Sequence, residues 1–134
     1  MNALIDHADS FGWAMMAFGA VLGMLIGLKS HLDNWLGGYG TYRRRILRLG
    51  HIASFALGGM TVLYMASVPP ELLASPTAVL KVGVTAMVLG ALLMPTVCLG
   101  TAWREQFRHL FGIPAISVLV ALVCMVIMSA GAAK

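Results

Sequence analysis

Four long apolar stretches, separated by short polar or proline-bearing segments, dominate the chain. They run from Phe11 to Leu28, Ile46 to Val68, Ala78 to Gly100 and Ile113 to Ala130. Each is close to the roughly 20 residues that a helix needs to cross a hydrocarbon core. None alternates apolar and polar residues as a barrel strand does, and an open strand in lipid would leave its backbone groups unpaired. The pattern therefore predicts one domain, residues 1–134: an all-α integral membrane protein of four transmembrane helices in an up-down bundle. The punctuation agrees. Pro69-Pro70 stops the second helix, Ser75-Pro76 precedes the third, and Gly112-Ile113-Pro114 starts the fourth with proline in the first turn, where its missing N–H costs nothing. The short 69–77 connection makes the second and third helices antiparallel neighbours.

Charge sets the expected orientation. Lys29, Arg43, Arg44, Arg45 and Arg48 follow the first span, and Arg104 and Arg108 follow the third. In a four-pass chain these two groups share a side. The opposite side has Lys81, whose long stem can carry its ammonium to the headgroups, and Lys134. The positive-inside rule predicts that both basic loops are cytoplasmic and both termini outside, periplasmic in a bacterial inner membrane. Trp35, Tyr39, Tyr42, Trp103 and Phe107 gather at the basic end, and Trp13 and Tyr64 near the other, as interfacial rings do. No Lys or Arg stands before the first apolar run, so that segment is expected to be a retained helix and not a cleaved signal.

Composition supports lipid as the main solvent. Hydrophobic residues are 60% of the chain and charged residues 10%, against about 25% charged in a soluble domain. The net charge of +4 sits at the ends of the apolar runs and not along a polar face. It predicts anionic lipid headgroups as partners and no nucleic acid. Cys98 and Cys124 fall at different depths and are expected to be free thiols.

Helix packing is predicted from small residues. Gly19, Gly23 and Gly27 repeat every four residues in the first span, with Gly12 on a similar face, and Gly50, Ser54 and Gly58 repeat in the second. Such grooves let two backbones approach, and the first two helices are the expected pair. The ten methionines read as flexible apolar filler.

Candidate chemistry is sparse. No Asp or Glu lies inside a span, which argues against an ion-coupled transporter, and no polar pore lining is evident. His51 lies one to two turns inside the second helix and His109 just before the fourth, at similar depth. Two such histidines suit the axial positions of a b-type haem, with arginines near the propionates. The plainer expectation is no cofactor, with one imidazole hydrogen-bonded inside the bundle and the other among headgroups. Met94 and Cys98 near His51 suggest a copper site, against the plainer reading of a proline kink at Pro95, with Thr96 helping to satisfy a freed carbonyl. Asp6, His7 and Asp9 read as a solvated terminus before the first helix. Arg43, Arg44, Arg45 and Arg48 form a basic patch suited to lipid or to an acidic face of another subunit. The leading expectation is a non-enzymatic accessory subunit of a larger membrane complex, respiratory or otherwise energy-transducing. The alternative is a haem-binding or quinone-interacting subunit using His51 and His109.

Overall fold

A computed structural model describes residues 2–132, and Lys134 lies outside the described residues. It contains five α-helices: α1 (Asn2–Ser30), α2 (Tyr42–Ala66), α3 (Pro70–Ala74), α4 (Ala78–Trp103) and α5 (Gly112–Ala132). Two 3₁₀ segments, Trp35–Gly37 and Glu105–Phe111, complete it, with no strand among the described residues. Four of the helices are long and apolar enough to cross a membrane, which makes the chain a multi-pass α-helical membrane protein.

The helices outrun the apolar stretches that announced them. α1 has 29 residues, about 43 Å of helix against a hydrocarbon core of about 30 Å. Its first turns hold Asp6, His7 and Asp9, which are exposed helical residues and not a loose segment ahead of the helix. The reason is the opposite face. Ile5 and Ala8 continue the stripe that includes Gly12 and Met15, and both are buried, at 5% and 1% exposure. A helix that still has a face to bury does not stop at the membrane boundary. At the other end, the chain leaves α4 through a single extended residue, Arg104, and rewinds at once into the 3₁₀ segment that leads to α5.

The four long helices do not close into a ring. α2 and α4 pack together in the middle, α1 lies along α2 and also touches α4, and α5 lies along α4. α1 thus packs mainly on α2, and α5 mainly on α4. Ile5, Ala8, Tyr64, Val68, Leu80 and Met128 form one cluster, so the start of α1 and the end of α5 share one end of the molecule. Ile26, Leu47 and Ala102 form a second cluster at the other end, beside the basic loops.

The α1–α2 seam is a contact of backbones. A Cβ built on Gly58 would lie 2.7 Å from the Gly12 carbonyl oxygen, and one on Gly19 would lie 2.7 Å from the Phe55 nitrogen. Gly23 faces the His51 ring. Gly27, expected to continue this groove, has open space where its side chain would be. The expected face of α2 also divides. Gly50 packs against Cys98 of α4, while Gly58 packs against α1. Each four-residue step overshoots a full turn by about 40°, so Gly58 stands about 80° around the helix from Gly50. One sequence repeat therefore serves two partners. Ser54, between them, is fully buried and returns its hydroxyl to the Gly50 carbonyl at 2.9 Å. On α4, Gly90 accommodates Val118 of α5, and Gly83 accommodates the Tyr64 hydroxyl.

Thr96 donates to the Leu92 carbonyl at 2.7 Å. The carbonyl released by Pro95 is that of Ala91, four residues back, so Thr96 does not have the compensating role expected of it.

Substituting Gly58 or Gly19 by Leu should separate α1 from α2 and cost about 1–3 kcal/mol, the range for an overfilled interior. Gly27→Leu should be nearly neutral. Thermal unfolding in detergent distinguishes the three, and equal losses at all three positions would contradict the seam described.

Candidate functional site

Two polar features stand out at the basic end, both on the stripe of α2 that faces α1. The first is Arg44, in the first turn of α2. The loop ahead of it is tightly wound: Leu36, Gly37 and Gly38 have φ of 54°, 85° and 108°. For Leu36 that conformation is unfavourable by about 1–2 kcal/mol, so surrounding contacts must hold it. Thr41 Oγ1 donates to the carbonyls of Leu36 at 3.0 Å and Gly38 at 2.9 Å. Arg44 Nε donates to the Trp35 carbonyl at 2.6 Å, and its Nη2 donates to the Leu32 carbonyl. The guanidinium lies 5.3 Å from the Trp35 ring centroid and 5.9 Å from that of Tyr39.

Arg44 is only 2% exposed. It was expected in an outward-facing patch, and the structure corrects this. Backbone carbonyls and ring faces surround its charge, and its guanidinium is not on offer to a partner. The remaining arginines are unlike it. Arg45 is exposed and reaches the Gly40 carbonyl through Nη2 at 2.8 Å. Arg48 stacks 4.4 Å from the Tyr39 ring centroid. Arg43 is exposed, as are Tyr39 and Trp103 at 68% and 72%. The run of three arginines gave no sign of which would turn inward. The usable clue was the loop, whose Trp35-Leu36-Gly37-Gly38 sequence implies a tight turn with carbonyls in need of donors.

The second feature is His51. Its ring lies against Gly23, where a Cβ would fall 2.8 Å from Cδ2 and 3.2 Å from Nε2. The imidazole borders a lipid-facing slot of about 320 Å³ lined by Gly19, Ala20, Gly23, Ile52, Phe55 and Ala56. Nδ1 is enclosed and has no hydrogen-bond partner.

His109 is exposed on the 3₁₀ segment, which packs on α4 and α5, while the ring of His51 lies against α1. Cys98 is fully buried with its Cβ against Gly50, on the α4 side of α2, away from the ring of His51. No group of three or more His, Cys, Asp or Glu side chains suited to a metal ion occurs among the described residues. Lys81 lies beside Thr85 and Ser117 in a groove between α4 and α5.

This geometry defines the class: a four-span helical membrane protein with a clipped basic loop and an imidazole at the seam of α1 and α2. Comparison with known protein families, curated proteins and solved structures returned no match.

Arg44→Ala should remove one of the two donors at each of the Trp35 and Leu32 carbonyls, which keep the Gly38 and Trp35 N–H groups, and cost about 2 kcal/mol, the scale of hydrogen bonds from a charged group. The expected result is rapid proteolysis within residues 31–41 in the otherwise folded protein. Arg43→Ala should cut no faster than the parent, and equal rates for all three proteins would remove the clip from the account.

Proposed function

We propose that the chain is a small accessory subunit of a larger membrane protein complex, docked through the basic, aromatic face formed by its 31–48 segment. Orientation follows from charge: the arginine-bearing loops lie in the cytoplasm, and both termini lie in the periplasm of a bacterial inner membrane.

The observation that carries this reading is the buried Arg44. Taking a guanidinium out of water is costly, and a loop needed only to mark topology has no use for it. A fixed loop is useful when its surface must match another surface. Exposed residues of this segment include Tyr39 of the loop and Tyr42, Arg43 and Arg45 of the first turn of α2, beside His31, Asp33 and Asn34. Aromatic rings and arginines are the residues most enriched where protein surfaces meet. With a loop shape already set, a partner does not bear the ordering cost that a flexible segment imposes on binding. The favoured partner is therefore an acidic cytoplasmic segment of another membrane subunit.

The spans add support. α5 packs mainly on α4 and leaves Ile113, Ile116, Leu119, Val123 and Val126 exposed. That face suits lipid or a neighbouring helix equally. The four apolar stretches hold no Asp or Glu, which gives no support to ion-coupled transport.

Extracted from its native membrane in mild detergent, the chain should elute within an assembly that contains other membrane proteins. The double substitution Arg43→Glu with Arg45→Glu should release it, while Lys81→Gln should not. Elution as a single chain from the native membrane would overturn the subunit reading. Cysteines introduced at positions 39 and 129 should react with a membrane-impermeant maleimide in intact cells only at 129, and the reverse labelling would overturn the orientation.

A further inference from the structure

We propose that the slot at His51 is a binding site for the ring of a neutral, lipid-borne carbonyl compound of the quinone class, whose carbonyl oxygen accepts a hydrogen bond from His51 Nε2. This inference is independent of the subunit reading, because the slot lies wholly within one chain.

Four observations converge on that chemistry. The first is the imidazole. A neutral ring has one N–H donor and one acceptor nitrogen. The enclosed nitrogen is Nδ1, which has no partner. Nε2 is the nitrogen at the Gly23 gap, beside the slot. The tautomer with hydrogen on Nε2 directs the donor to the slot and leaves Nδ1 with only an unused lone pair. The slot thus holds a donor with an acceptor missing, in a region where lipid tails supply none.

The second is shape. Gly19, Ala20 and Gly23 on one wall and Ala56 on the other project almost no bulk, and Ile52 and Phe55 provide apolar flanks. A gap between two helices bounded by small residues is narrow and flat, suited to a ring and its short substituents. The third is charge. No ionisable residue other than His51 lines the slot, and no Asp or Glu lies in the apolar stretches, residues 11–28 and 46–68, that flank it. An anionic headgroup or a free fatty acid would meet no counter-ion there, so the ligand is neutral. The fourth is access. Ala20, Ile52, Phe55 and Ala56 are exposed on the lipid side. His51 lies nine residues into α2 from Tyr42, about 13 Å along the helix. A ligand that enters from the bilayer at that depth is carried by a hydrocarbon tail.

The test uses the full chain in nanodiscs of zwitterionic phospholipid, with ¹⁵N-labelled histidine and decylubiquinone as the added probe. The expected result is a saturable shift of the His51 Nε2–H signal, with His7, His31 and His109 unmoved. His51→Leu should weaken binding, followed by the quinone's absorbance in equilibrium dialysis, by about tenfold, the scale of one lost hydrogen bond in a buried site. His51→Gln, which keeps a donor, should recover most of it. Ala20→Leu fills the slot from its lipid-facing wall without entering the α1–α2 seam, and should weaken binding while leaving thermal unfolding unchanged. A response without saturation that moves all four histidines alike means partition into the bilayer and overturns the site. Unaltered affinity in both His51→Leu and Ala20→Leu also overturns it. A Soret band in the purified protein that His51→Leu abolishes would reassign the slot to a tetrapyrrole.

Discussion

Helices surrounded by hydrocarbon gain nothing from hiding apolar surface, because lipid tails are as apolar as leucine. What holds such helices together is close contact, and here that contact is made where side chains are missing. Gly12 and Gly58 meet backbone to backbone, and Gly19 meets the main chain at His51 and Phe55. The rest of the architecture depends on that seam. It locks α1 to α2 over several turns and so directs the other face of α2, with Gly50, Ser54 and Leu57, to α4. α4 in turn meets α5 across Gly83 and Gly90. The result is a chain of pairwise contacts with α2 and α4 at its centre, and α4 is the most buried of the four spans.

The same solvent explains how the polar groups are arranged. Hydroxyls inside the spans mostly return to their own helix, as Ser54, Thr61 and Ser117 do by donating to the carbonyl four residues back. Such bonds satisfy the hydroxyl without linking helices. Arg44 and His51 differ. Arg44 is joined to the backbone of the loop that precedes its helix, and two carbonyls and two aromatic faces offset its burial, although its Nη1 is enclosed without a partner. His51 has an enclosed nitrogen with nothing facing it. An unpaired polar atom in such surroundings costs free energy. Tyr64 also has an unpartnered hydroxyl, set over Gly83, and borders a smaller hollow of about 220 Å³ with Met60, Leu63 and Met87. His51 pairs an unpartnered ring nitrogen with the roomier slot at the α1–α2 seam.

Much of this was legible in the sequence, and the exceptions have physical causes. Four apolar runs sufficed to find four spans, because length and hydropathy act locally. The start of α1 escaped, since Asp6, His7 and Asp9 mask a buried stripe of Ile5 and Ala8 that only its partners reveal. The packing of α1 on α2 was readable from glycine spacing, but the division of the α2 repeat between two neighbours was not. That division depends on the drift of a four-residue repeat around a 3.6-residue helix, and hence on where α4 happens to lie. His51 could be singled out as a histidine inside a span. The partners of each histidine could not, because similar depth along the membrane does not say that the His51 ring lies against α1 and that the His109 segment packs on α4 and α5. Arg44 was hidden in a run of identical residues, and burial is a property of the fold.

The clip and the slot belong to one mechanical unit. Arg44, Arg48, His51, Phe55 and Gly58 recur at intervals of four, three, four and three residues, a spacing that keeps them along one stripe of α2. At one end of that stripe, Gly58 sits against Gly12 with no room to move closer. At the other, basic end, Arg44 holds the loop that joins α1 to α2. The slot lies between these two fixed points. Its width is therefore set by the crossing of α1 over α2, and that crossing is determined by a glycine contact on one side and by a buried guanidinium on the other. A surface that bound the loop would act at one of the two points that define the slot, so the proposed docking and the proposed occupancy at His51 would share a single structural lever.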